Sequence, residues 1–134
     1  MAGKKESILP RPPRKTKILF IDDERMPHKV GIDKNSPNII LFHATTYQSA
    51  LICFRIMPRF DEVYFDHDLG EEKTGYDLIK EMYAELPNKF PRKVFVHSDN
   101  PVGAVNIECY ANSIFKDRGQ ERKAIRLVLP PGEK

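Results

Sequence analysis

Three short apolar runs in this chain each end in residues that can do chemistry. Asp22 and Asp23 follow Ile18-Leu19-Phe20-Ile21, and Asp66-His67-Asp68 follows Val63-Tyr64-Phe65. Val94-Phe95-Val96 runs directly into His97-Ser98-Asp99-Asn100. Adjacent carboxylates raise one another's proton affinity unless a cation sits between them. Asp22, Asp23 and Asp66 therefore read as hard oxygen ligands suited to Mg²⁺ or Mn²⁺. His97 titrates near neutrality when unperturbed, which fits a general acid or base. Asp68 is expected to share or support that proton transfer. His67 is the third catalytic candidate, although in an extended chain it points away from Asp66 and Asp68. Ser98 and Asn100 can hold phosphate oxygens, helped by turn amides and the start of a following helix. Arg25, two residues beyond the acidic pair, can clamp a phosphate or form a salt bridge. The rival structural reading makes the aspartates and Ser98 caps of helices and turns, and His97 a partly buried strand-end residue. Either group alone fits that reading. Two acidic groups on aligned strand ends favour a site for a metal ion and a phosphate.

The elements that must position these residues are visible in the apolar pattern. Strands are expected at residues 17–21, 39–43, 62–65, 93–97 and 124–129. Residues 47–57 place Ala50, Leu51, Phe54 and Met57 at helical spacing, with Thr45 or Thr46 as cap and Pro58 as stop. Residues 76–86 do the same through Leu78, Ile79, Met82, Tyr83 and Leu86, ended by Pro87. Residues 102–115 continue the pattern through Val105, Ile107, Cys109, Tyr110 and Ile114. The first interval contains Pro27, Gly31 and Pro37, so a loop with one short turn is expected there in place of a helix. Strands alternating with helices imply an α/β fold, a single five-stranded parallel sheet, doubly wound with helices on both faces. Right-handed crossovers put every strand's carboxyl end on one rim, where open parallel sheets build their sites.

The chain's 134 residues, 40% hydrophobic and 31% charged, suit one globular domain. No apolar run approaches the roughly 20 residues of a membrane span, and the N-terminal lysines lack the apolar core of a secretory signal. Cys53 and Cys109 lie in helical patterns without zinc spacing and are expected as buried free thiols, which fits a reducing cytoplasm. The net charge of +3 is uneven, because residues 1–17 carry six bases against one acid. Residues 1–16 are expected to be a flexible, Pro-rich basic tail ahead of a domain at 17–134. That tail reads first as solubilising and second as a nucleic-acid contact. Lys116, Arg118, Arg122, Lys123 and Arg126 read as a solvated face, His28 as surface and His43 as structural. Glu71-Glu72-Lys73-Thr74, between Gly70 and Gly75, is expected to be a mobile loop over the site. It is not a phosphate-cradling P-loop, since no glycine-lysine-serine or glycine-lysine-threonine ending exists. Nothing in the pattern fixes an oligomeric state.

The order of these pieces resembles the receiver domain of two-component response regulators. Leu19-Phe20-Ile21-Asp22-Asp23-Glu24 is similar to its first strand and acidic pair, and Val63-Tyr64-Phe65-Asp66 to the strand bearing its phospho-accepting aspartate. Gly75-Tyr76-Asp77-Leu78 resembles the helix start that follows, and Ser98 falls where receivers keep a hydroxyl residue. Receivers also end the fifth strand with a lysine-proline pair, whereas Leu127-Val128-Leu129-Pro130-Pro131 has no lysine. Asp68 and His97 are additional to the receiver set. These departures resemble a narrower family, the cyclic-phosphate-processing receiver-like domains. The matching segments are Ile21-Asp22-Asp23-Glu24-Arg25-Met26-Pro27, Phe65-Asp66-His67-Asp68-Leu69-Gly70 and His97-Ser98-Asp99-Asn100-Pro101-Val102-Gly103-Ala104. The resemblance implies a receiver fold and a role in processing cyclic phosphates on nucleotides or RNA ends. The expected activity is a metal-dependent phosphoesterase; the alternative is a non-catalytic module that binds a cyclic nucleotide or a protein partner.

Overall fold

The computed structural model describes residues 14–128. Five strands form one parallel sheet: β1 Thr16–Ile21, β2 Ile39–Ala44, β3 Glu62–Phe65, β4 Lys93–His97 and β5 Ile125–Leu127. Their order is β2-β1-β3-β4-β5, the receiver arrangement. The order reverses between β1 and β3, and a crevice opens at such a point above the carboxyl ends of the strands. Asp22 and Asp66 stand there, each one residue beyond its strand.

Three α-helices follow β2, β3 and β4: α1 Tyr47–Ile56, α2 Gly75–Glu85 and α3 Pro101–Asp117. Each starts on a side chain that satisfies an orphan backbone amide. Thr46 and Ser49 form a capping box on α1, Thr74 and Asp77 form one on α2, and Asn100 accepts from the Gly103 amide on α3. The first crossover holds a short 3₁₀ turn, Pro27–Val30, and no α-helix, as its prolines require.

Strand alternation divides the buried residues into two layers. Leu19, Ile21, Val63, Phe65, Val94 and Val96 face the three helices and make the larger core with Phe54, Leu78, Met82, Ile107 and Phe115. Ile18, Phe20 and Tyr64 face the other way and pack with Ile32 of the first crossover. The described α-helices therefore lie on one face, where both faces had been expected to carry them. The second face is covered by the crossover segment, which has no helix to offer.

Two further expectations change. On α3 the buried stripe is Ala104, Ile107, Ala111, Ile114 and Phe115, while Val102, Val105 and Cys109 fall on the adjacent outward stripe. Cys109 is exposed and Cys53 half-buried, both free, so the buried-thiol reading fails: a weak apolar residue beside the true stripe followed the same helical spacing. The fifth strand ends at Leu127; Leu129 and the basic residues of segment 1–13 lie outside the described residues. Among the described residues, no helix is long and apolar enough to cross a membrane.

Candidate functional site

Residues 20 and 22, 64 and 66, and 95 and 97 share strand parity, so their side chains leave the sheet toward the same face. Asp22 and His97 consequently meet beneath the rim. His97 Nε2 lies 3.0 Å from Asp22 Oδ2, both residues are fully buried, and the imidazole stacks on Phe20 at 4.9 Å between ring centroids. The amides of Glu24 and Arg25 donate to Asp22 Oδ1 at 2.7 and 2.8 Å. Burial alone would raise the Asp22 carboxyl. The His97 hydrogen bond and the two amides outweigh it and hold the group below its ordinary value. Arg25 is itself buried, with Nη1 3.5 Å from Asp22 and Nη2 2.7 Å from Asp99. Its guanidinium ties the loop after β1 to the loop after β4.

Asp66 experiences the opposite balance. It is buried beside Asp22, and burial followed by that neighbouring charge pushes its carboxyl up to about 8. Asp22, Asp23 and Asp66 each offer an oxygen, all within 4.8 Å of one another. Gly70 closes over this group: its φ is +70°, and a Cβ there would stand 2.8 Å from Asp23 Oδ2. Three convergent carboxylates, one of them raised by burial and then by its neighbours' charge, are a donor set that fits a hard divalent cation.

His67 has turned out of the β3 line and lies against the start of α3. A Cβ at Gly103 would collide with its ring, so the close approach needs glycine. His67 Nδ1 lies 2.8 Å from Asp68 Oδ1 and 3.5 Å from Asn100 Nδ2. With Nδ1 donating to an ionised Asp68, Nε2 is left as the ring's acceptor, and Asn100 Nδ2, itself a donor, faces that N–H without a hydrogen bond. Asn100 Oδ1 takes the Gly103 amide at 2.9 Å, and Ser98 Oγ accepts from the Asn100 amide at 3.1 Å. The capping role thus occupies part of both residues, and one of the α3 amides expected to face a phosphate is spent within the turn.

The acidic pair, the Asp66-His67-Asp68 segment and the Ser98–Asn100 turn thus converge at the carboxyl ends of β1, β3 and β4. The family model for the cyclic-phosphate processing receiver domain matches residues 17–113. The chain belongs to that family. Solved receiver domains are similar to this cyclic-phosphate processing receiver domain at the level of fold. A response regulator receiver domain protein from Methanospirillum hungatei is 15% identical with a TM-score of 0.55, covering 87% of this chain and 82% of that one. The response regulator domain of Thermotoga maritima CheB is 17% identical with a TM-score of 0.56, covering 90% and 81%. Chemotaxis response regulator CheY4 of Vibrio cholerae is 18% identical with a TM-score of 0.57, covering 89% of each chain. A search of curated proteins returned no significant match.

Within this receiver domain the expected site residues separate into two tiers. Asp23, Asp66, His67, Asp68, Ser98 and Asn100 surround the rim, whereas His97 and Arg25 lie beneath it as partners of Asp22. Two participants escaped the sequence reading. Asp99 is Arg25's partner, and His43 bonds the Asp22 carbonyl at 3.1 Å while its ring meets Phe20 edge-on. The loop between Gly70 and Gly75, expected to be mobile, is tethered: Glu71 accepts from the Tyr47 amide at 2.9 Å, and Thr74 caps α2.

Proposed function

We propose that this receiver domain is a phosphoesterase that opens cyclic phosphates on nucleotides or RNA ends with a divalent cation, Mg²⁺ or Mn²⁺. The observation that carries the reading is the three-carboxylate cluster of Asp22, Asp23 and Asp66, set beside the His67–Asp68 pair at one strand rim. Those three aspartates would hold the cation, which when bound supplies positive charge to the phosphoryl oxygens. His67 Nε2 takes the proton from an attacking water, and Asp68 holds the resulting imidazolium at Nδ1. The same ring then returns the proton to the departing sugar oxygen, so that water and cyclic diester become a monoester and a hydroxyl. Ser98 and Asn100 orient the phosphate. His97 and the Glu24 and Arg25 amides keep Asp22 ionised, and the Arg25–Asp99 pair fixes the loops around it.

A second reading is capture without turnover, favoured by the hydrogen bonds that already engage Ser98 and Asn100 within their own turn. Phosphorus NMR of 2′,3′-cyclic nucleotides, RNA with cyclic ends and cyclic dinucleotides, each with Mg²⁺ or Mn²⁺, separates the two. Ring opening abolished by Asp66→Asn supports the phosphoesterase; a ligand that binds and stays intact supports capture.

A further inference from the structure

The edge of the sheet opposite the rim carries the opposite charge. Arg92 and Lys93 at the start of β4, with Arg122, Lys123 and Ile125 at the start of β5, line a concavity of about 270 Å³. All five are exposed. The arginines around it are fixed by main-chain carbonyls. Arg59 donates to Phe90 O at 2.6 Å, Arg118 to Pro87 O at 2.5 Å and Arg122 to Arg92 O at 2.9 Å. A carbonyl orients a guanidinium without cancelling its charge. Among the described residues, no carboxylate is ion-paired with Arg59, Lys93, Arg118, Arg122 or Lys123. At this edge Asp61 is shared between Arg14 at 2.9 Å and Arg92 at 3.4 Å, and Glu62 stands opposite Lys93 in the sheet register. Burial and then the crowding of Arg92, Arg122 and Arg118 lower the Arg59 guanidinium from its ordinary value. Folding therefore holds several like charges together at a cost, which an anion would relieve.

We propose that this edge is a docking surface for the phosphate backbone of a single-stranded nucleic acid. Pre-oriented guanidinium forks match phosphate oxygens. The sequence is also basic around the start of β1, with Lys15 and Lys17, and ahead of it, with Lys4, Lys5 and Arg11. An extended run of bases suits a polymer with a charge on every unit better than a single anion. A lipid surface is disfavoured because the site is concave and its lining has one apolar residue, Ile125. The preference for nucleic acid over an acidic peptide rests on the phosphate-ester reading of the rim.

Binding is measured with the full chain by fluorescence anisotropy, using a labelled oligouridylate with a 3′-hydroxyl end, in EDTA, across a range of KCl. Lacking both a cyclic end and a cation, this probe tests the edge independently of the rim. The combined variant Lys93→Gln, Arg122→Gln, Lys123→Gln is expected to bind at least ~10-fold more weakly at low salt. Its slope of log K against log salt should be shallower by about 2, from ~0.7 per lost phosphate contact. Its melting temperature should be no lower than that of wild type, and its opening of a 2′,3′-cyclic mononucleotide should be unchanged. Unchanged affinity and slope in the variant would place RNA binding elsewhere and overturn the proposal. On wild type alone, displacement by polyglutamate at equal charge concentration, or preference for phosphatidylserine vesicles over RNA, would overturn it as well.

Discussion

Asp22 and Asp66 end neighbouring strands only one pleat apart, yet their carboxyls are driven in opposite directions. Asp22 receives two amides and His97 and stays ionised, while Asp66 is left with burial and a like charge, which carry it from the usual 3.8 to about 8. An aspartate whose folded value is raised stabilises the fold below its unfolded value and loses that contribution as pH rises through the folded one. In EDTA the melting temperature should therefore decline between about pH 4 and pH 8 more steeply in wild type than in Asp66→Asn. A divalent cation competes with that proton, so its apparent affinity should rise toward pH 8; an affinity independent of pH in wild type would contradict the assignment. The histidines divide in the same way. His67→Ala and Asp68→Asn should each lower ring opening by about 10²–10⁴-fold with the fold retained, the usual worth of a general acid or base. His97→Ala removes a buried ring and Asp22's partner and should cost about 3 kcal/mol in thermal unfolding. If His97→Ala instead melts like wild type and lacks activity, His97 and not His67 moves the proton.

The start of α3 serves helix and site together, and substitutions there can separate the two roles. Asn100→Ala should cost ~1 kcal/mol of stability as a lost cap and also lower turnover. Asn100→Asp should restore the cap while removing the amide that faces His67, so stability should return without full activity. Recovery of both would reduce Asn100 to a cap. The elements themselves were legible: β1, β2, β3 and β4 begin within one residue of their apolar runs, and the prolines after α1 and α2 stop them where expected. The stripe on α3 was read in part: Ile107 and Ile114 are buried and Tyr110 packs against the core, whereas Val105 and Cys109, one helical step apart, lie on the neighbouring outward stripe. Helical periodicity finds the helix; which of two adjacent apolar stripes is buried depends on what it packs against. Strand parity could have placed His97 under Phe20, since both belong to the face of residues 18 and 20. The Arg25–Asp99 pair could not be read, because nothing local joins residues 74 positions apart.

Taken whole, the domain is polarised along its strands. Carboxylates gather where β1 and β3 end, bases where β4 and β5 begin, and the described helices lie on one side of the sheet. Parallel strands make that polarity possible, because every carboxyl end faces the same way. The resemblance to receivers foretold the sheet order and the prolines after β1 foretold the reduced first crossover, but the basic edge emerges only when residues 59, 92, 118 and 122 are brought together. Without the fifth-strand lysine of receivers, acetyl phosphate should leave no stable adduct on Asp66; mass spectrometry detecting one, lost in Asp66→Asn, would restore a signalling role. The account's central claim is that the rim carboxylates hold the cation on which cyclic-phosphate opening depends. Its most direct test is the initial rate of 2′,3′-cyclic-phosphate opening by EDTA-stripped protein as Mg²⁺ or Mn²⁺ is added back. A saturable rise in wild type, absent in Asp66→Asn, is the predicted result; a rate indifferent to the cation, or the same rise in both proteins, would contradict it.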